Sequence, residues 1–436
     1  MNLSLKTFLC GISLTFLTVY IVLAFCITLH VHFQSSAKRS QEIMSVNMNM
    51  VDISLHGLDI NSYENLHQAK RNKNNCQKEV RNFVFIKCMK CATETLASVF
   101  RRFGYIRDLN FILPVKRNLY LGWPFPLQMT DIRQSKYQFN ILAEHSIFNH
   151  SFMKTLMPND TTFITILRNP WQQVKSTINY FDISEIANVP NQSFKTYFEH
   201  MEYYDSVYGN PKNNLKRWCI PDGFSMTRNI LAHCVGMPLG FPTGTENILG
   251  NESEVNKYIE HLKSSFDLVL IADYFEESLV LLKRKMCWSF KDIVYHYSNK
   301  GDYKNEDLKD LPPRGKYFDI HRNWSSIDYK LFNEFNETFW TEISDEGPDF
   351  YEELNLFRTV QTKVKEFCFK QQMWKIPKSV LSFSGSRFEA GFIVTGEECV
   401  LMSTYLLPVL WARHYEKEGV APDNITYEKP VKGCSM

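Results

Sequence analysis

Residues 161–180 read TTFITILRNPWQQVKSTINY, and this stretch narrows the fold more than any other part of the chain. Thr161 to Leu167 is a short β-branched and apolar run, the kind that forms a strand covered on both faces. Arg168 follows, then Asn169 and Pro170. Asn is a good N-cap, and Pro has no N–H to lose at the first helical position, so a helix is expected from Pro170 through Tyr180. The pattern recurs twice. FVFI at Phe83–Ile86 precedes a loop and a helix whose Leu96, Val99, Phe100 and Phe103 share one face. DLVLIA at Asp267–Ala272 precedes a helical stretch carrying Phe275, Leu279 and Leu282. Parallel strands need crossover helices, so the expectation is an α/β fold with a parallel sheet flanked by helices. Farther on, Ile327, Leu331, Phe335 and Phe339 form an i, i+4 stripe that reads as core.

The N-terminus sets the compartment. Thr7 to Leu29 is a run of 23 residues without a charge, long enough to cross a bilayer as a helix and longer than the apolar core of a cleaved signal peptide. It reads as a transmembrane signal anchor. Residues 1–6 then form a cytoplasmic tail, 30–79 a polar stem, 80–415 the catalytic domain and 416–436 a C-terminal tail. N-x-S/T sequons at Asn149, Asn159, Asn191, Asn251, Asn323, Asn336 and Asn424 all follow the span and favour a lumenal body. Outside the span stand nine cysteines, an odd number, so at least one thiol is free or pairs between chains. Lys plus Arg total 49 against 47 Asp plus Glu, which leaves no excess positive charge for a nucleic-acid partner.

Between the first strand and its helix lies KCMKCATET, with a C-x-x-C at Cys88 and Cys91. A structural zinc site needs a second Cys/His pair at matched spacing, and none presents itself, so no metal is expected. The loop also holds Lys87, Lys90, Thr93 and Thr95 at a helix start. Together these are the parts of an anion cradle: backbone donors, hydroxyls and a lysine charge.

KCMKCATETL, followed at a distance by TFITILRNPWQQVKSTINYF, resembles the two donor-binding elements of Golgi carbohydrate sulfotransferases, in particular the galactose-3-O-sulfotransferases. The resemblance extends through RFGYIRDLNFILP, LGWPFP, FDLVLIADYFEESLVLLKRKMCWSFKDIVYHYSN and LFNEFNETFW, most of residues 81–360. It implies a P-loop-like sulfotransferase fold, a single-pass type II Golgi membrane protein, and 3'-phosphoadenosine 5'-phosphosulfate as donor. It implies that Lys90 steadies charge on the leaving oxygen, that Thr93 and Thr95 bond the 5'-phosphate, and that Arg168 and Ser176 hold the 3'-phosphate. The implied acceptor is a glycan with a terminal β-galactose, on lipid or protein, sulfated at its 3-hydroxyl. Removing that proton calls for a base of near-neutral pKa. His145 stands where relatives carry a histidine after a strand, with His150 and Glu144 as competitors.

The family loop usually reads Lys-Thr-His-Lys-Thr-Ala-Ser-Ser-Thr-Leu. Here Cys88, Met89 and Cys91 replace its first threonine, histidine and second threonine, and Glu94 replaces a serine. The two cysteines read as local replacements of loop threonines. A carboxylate suits the first turn of a helix but repels a phosphate unless it points away. These departures keep open a catalytically weakened relative that binds glycans, and the shared donor elements keep open another glycan hydroxyl as acceptor.

Overall fold

The computed structural model describes Cys76 and residues 78–422, apart from 116–118, 211, 213–219, 222, 297–302, 304–305 and 375–378. The expected membrane span at 7–29, nearly all of the stem, Cys219, Asn424 and Cys434 lie outside the described residues. Among the described residues no helix is long and apolar enough to cross a membrane.

Four strands form one parallel sheet: β1 (Phe83–Ile86), β2 (Ile141–Leu142), β3 (Thr162–Leu167) and β4 (Leu268–Ile271), in the order β2-β1-β3-β4. Phe83 pairs with Ile141 on one side and Thr162 on the other, and Ile164 pairs with Leu268. Nearly every strand residue is buried, as expected of a sheet covered on both faces. Helix α1 (Thr93–Ile106) follows β1 and α2 (Pro170–Tyr180) follows β3. The apolar face of α1 is packed as its spacing requires. Phe100 lies 4.9 Å from both Phe83 and Phe85, and Phe103 stacks on Trp288 at 3.8 Å. Burying each such ring contributes about 2 to 3 kcal/mol, which ties α1 to the sheet.

Downstream, α3 (Ile230–Cys234) precedes β4, and α4 (Phe275–Met286) follows it. The stripe Ile327, Leu331, Phe335 and Phe339 of α5 (Ser326–Asp345) is buried. Next comes α6 (Asp349–Trp374), whose Glu353 is paired with Lys283 at 2.8 Å and Arg284 at 2.6 Å of α4. An antiparallel hairpin of β5 (Val380–Phe383) and β6 (Phe392–Thr395) then leads into α7 (Gly396–Ser403) and α8 (Leu407–Glu418). The hairpin was not anticipated from sequence.

Three disulfides cross-link the described residues: Cys76–Cys287, Cys88–Cys234 and Cys368–Cys399. Cys91 is free and buried. The reading of Cys88 as a local replacement of a loop threonine is thus corrected. It bonds a cysteine 146 residues later, a partner that local sequence cannot indicate. The sequon asparagines Asn159, Asn191, Asn251 and Asn323 are exposed. Asn149 and Asn336 are half-buried, and Oδ1 of Asn336 is enclosed without a hydrogen-bond partner.

The topology locates the crevice. From β1 the chain crosses to β2 on one side, and from β3 to β4 on the other. The C-terminal ends of β1 and β3 therefore flank the point where the strand order reverses, where ligands of open α/β sheets bind.

Candidate active site

The loop leaving β1 is built without glycine yet adopts left-handed backbone at two positions, Lys90 (φ 61°) and Ala92 (φ 56°). Each costs about 1 to 2 kcal/mol for a residue with a Cβ, so the surroundings must enforce it. Alternation of this kind turns successive backbone N–H groups toward one side, the geometry of an anion nest. Ala92 caps α1 without a side-chain acceptor, so the amides of the first turn are left for another partner. Thr93 is buried at the first helical position and Thr95 is half-buried on the same turn.

The second element reaches across the crevice to hold that loop. Nη1 of Arg168 donates to the Lys90 carbonyl at 3.0 Å, and Nε2 of Gln173 donates to the Met89 carbonyl at 3.2 Å. Oδ1 of Asn169 accepts from the amides of Trp171 and Gln172, the cap expected from the sequence, while its own N–H donates to Asp273 beyond β4. Lys90 and Arg168 are thus brought together, and neither has a carboxylate within ion-pair distance among the described residues. Nζ of Lys90 sits 3.5 Å over the Tyr180 ring. Burial first, and then the Arg168 charge, depress the Lys90 pKa to about 8. Lys175, buried two turns beyond Arg168, donates to the carbonyls of Lys309 and Leu311, at 2.9 and 3.2 Å, and feels the nearby Asp310 carboxylate. Lys90 and Arg168, converging without a carboxylate at ion-pair distance among the described residues, form a site for an anion. Ser176 follows on α2, half-buried and two turns from its start. Gln173, Lys175 and Tyr180 escaped the sequence reading, since nothing in a helical pattern marks which polar residue faces a loop.

Behind the loop a charge cluster is closed on itself. Glu94 pairs with Lys87 and with Arg101, each at 2.5 Å, and Arg101 engages both oxygens of Glu144 at 2.7 and 2.8 Å. Burial works to raise the Glu94 pKa, but Arg101 and Lys87 prevail and hold it at about 2. The carboxylate that departs from the family pattern is therefore committed to two cations. Glu144, with both oxygens on Arg101, is in no position to act as base.

His145 is buried directly after that carboxylate, its Nδ1 2.7 Å from the Lys87 carbonyl. A carbonyl only accepts, so the proton sits on Nδ1 and the Nε2 lone pair is the basic one. Burial, then the Lys87 charge, lowers its pKa well below the ordinary value, so the ring is neutral but a weaker base than the near-neutral group expected from the sequence. His150 is elsewhere. Its ring packs 4.7 Å from Phe163 near the start of β3, at the opposite edge of the sheet from the loops. The structure thus joins Lys90, Thr93, Thr95, Arg168 and His145 around three adjoining strand ends, those of β2, β1 and β3, with Ser176 on the helix after β3, and leaves His150 apart. Among the described residues no group of three or more metal-ligating side chains occurs.

The galactose-3-O-sulfotransferase family model matches residues 16–380. Mouse galactose-3-O-sulfotransferase 2 is 27% identical over 300 residues, covering 67% of this chain and 70% of the relative. Human galactosylceramide sulfotransferase is 28% identical over 310 residues, covering 69% and 67%. Human galactose-3-O-sulfotransferase 2 is 29% identical over 279 residues, covering 62% and 63%. No solved structure matches the chain.

Proposed function

The chain belongs to the galactose-3-O-sulfotransferase family, and on that premise we propose that it transfers a sulfuryl group from 3'-phosphoadenosine 5'-phosphosulfate to the 3-hydroxyl of a terminal β-galactose. The observation that carries the reading is that Lys90 and Arg168 meet across the β1/β3 crevice with no carboxylate at ion-pair distance among the described residues. That charge balance fits a polyanionic donor. When bound, the donor supplies an activated sulfuryl group on a phosphate leaving group.

This chain's residues would divide the work by position. Uncapped amides at the start of α1, with Thr93 and Thr95, would hold the 5'-phosphate. Lys90, at the turn before them, would stabilise charge growing on the departing oxygen, the electrostatic task common to phosphoryl and sulfuryl transfer. Arg168 and Ser176 would take the 3'-phosphate. His145, anchored through Nδ1, would present Nε2 to accept the proton of the sugar hydroxyl. The closed pairing of Glu94 removes the main objection to an active enzyme.

The names of the relatives favour a galactose-bearing glycolipid or glycan as acceptor. A lumenal setting in the Golgi, behind the span at 7–29, is supported by the three disulfides and the exposed sequons. The reading is tested by incubating the full chain with labelled donor and a panel of galactosyl, N-acetylgalactosaminyl and uronic-acid acceptors. Label on the galactose 3-hydroxyl is expected. Transfer only to another sugar overturns the acceptor, and donor binding without any transfer overturns the enzyme.

A further inference from the structure

The Cys88–Cys234 disulfide lies inside the machinery just described. Cys88 opens the strained loop two residues before Lys90, and Cys234 ends α3. Helix α3 is itself firmly held. The Asp328 carboxylate of α5 accepts from the amides of Leu231 and Ala232 at 3.2 and 2.8 Å, and the Asn229 amide donates to Ser325 at 2.9 Å. From Cys234 the backbone carbonyl accepts the Phe148 amide at 3.0 Å, three residues beyond His145. His145 in turn donates to the carbonyl of Lys87, the neighbour of Cys88. The bond therefore closes a ring: donor loop, disulfide, α3, the His145 segment, and back to the loop.

Resting on the sulfuryl-transfer reading above, we propose that the Cys88–Cys234 disulfide is a positioning element of the reaction, holding the Lys90 loop in register with His145. The loop needs such a hold. It has no glycine to relax its two left-handed residues, and the ties from Arg168, Gln173 and His145 to its carbonyls are single hydrogen bonds. The other two disulfides differ in place: Cys368–Cys399 joins α6 to α7, and Cys76–Cys287 fastens the first described residue to the C-cap of α4.

The test uses the full chain and compares Cys88→Ser/Cys234→Ser with Cys368→Ser/Cys399→Ser. Both variants lose a disulfide, so a general loss of stability appears in each. The first should lower kcat by about ten- to a hundredfold, the scale of a misplacement near 1 Å, with both KM values changed by less than about threefold. It should also lose hydrogen-exchange protection over residues 87–95. The second should melt earlier yet keep its kcat and the protection of that loop. Unchanged kcat or unchanged loop exchange in the first variant overturns the proposal, as does peptide mapping that finds Cys88 as a thiol in the wild-type protein.

If the first variant does not fold, the folded wild-type protein is treated with dithiothreitol. Two electrons and two protons pass to the disulfide, and the reagent closes to its own cyclic disulfide. Loss of activity in step with the mapped fraction of cleaved Cys88–Cys234 supports the proposal, and full activity with the bond cleaved overturns it. If the wild type transfers nothing, the sulfuryl-transfer reading fails by itself, and the exchange comparison still decides whether the bond holds the loop.

Discussion

Replacing Lys90 by methionine should make the protein more stable and far less active. In the folded protein the lysine is held near 8 rather than 10.5, first by burial and then by Arg168. Read as free energy, that displacement corresponds to about 3 kcal/mol spent on keeping the charge at neutral pH. Water screening of a half-buried side chain and the lost cation–π contact with Tyr180 take back part of it, leaving a net gain of about 1 to 2 kcal/mol. Methionine keeps the stem length and packs well on an aromatic ring, and the left-handed backbone at this position is no worse for it than for lysine. A gain of that size raises the melting temperature by roughly 2 °C in a domain this large. Turnover should fall by about a hundred- to a thousandfold, the usual loss when one donor to a developing charge is removed. Thermal melts with and without product nucleotide, beside initial rates at saturating donor, measure both effects. A variant that melts earlier without ligand, or that keeps more than about a tenth of wild-type turnover, refutes the assignment of an uncompensated cation to this loop.

Two further outcomes follow from the charges. A phosphate favours protonated Lys90, so nucleotide affinity should be full below about pH 7 and fall as pH rises through about 8. Lys90→Arg should remove that fall over the same range, and titration calorimetry across pH checks both. Glu94→Gln should destabilise the protein by about 2 to 3 kcal/mol at pH 7, because Lys87 and Arg101 lose their shared carboxylate. The Glu94 pKa is depressed to about 2, so its contribution is present above the unfolded value near 4.5 and is lost as pH falls toward 2. The gap between variant and wild-type melting should narrow on acidification.

The strand-loop-helix units at β1, β3 and β4 were legible in sequence because each joins a buried apolar run to a helix of clear period, and Asn169–Pro170 marks its boundary almost to the residue. The topology then brings Lys90 and Arg168 together of necessity. What the sequence hid is what depends on distant partners. β2 is two residues long, too short for any period to show. The disulfide between Cys88 and Cys234 spans most of the sheet's connections. Glu94 looked like a threat to an anion because its partners were unseen, although Arg101 stands two helical turns away on the same face of α1. The hairpin at 380–395 carries little apolar alternation and follows the long α6, so nothing in its pattern separated it from a tail.

The central claim, that the crevice between β1 and β3 takes the donor's two phosphate groups with Arg168 on the 3'-phosphate, is tested most directly by a two-by-two binding experiment. Calorimetry would measure wild type and Arg168→Ala, each with 3'-phosphoadenosine 5'-phosphate and with adenosine 5'-phosphate, which lacks the 3' group. The account predicts that Arg168→Ala weakens the bisphosphate by about tenfold or more, the weight of a charge-assisted contact, and barely affects the monophosphate. Equal loss for both nucleotides, or no loss for either, would contradict it.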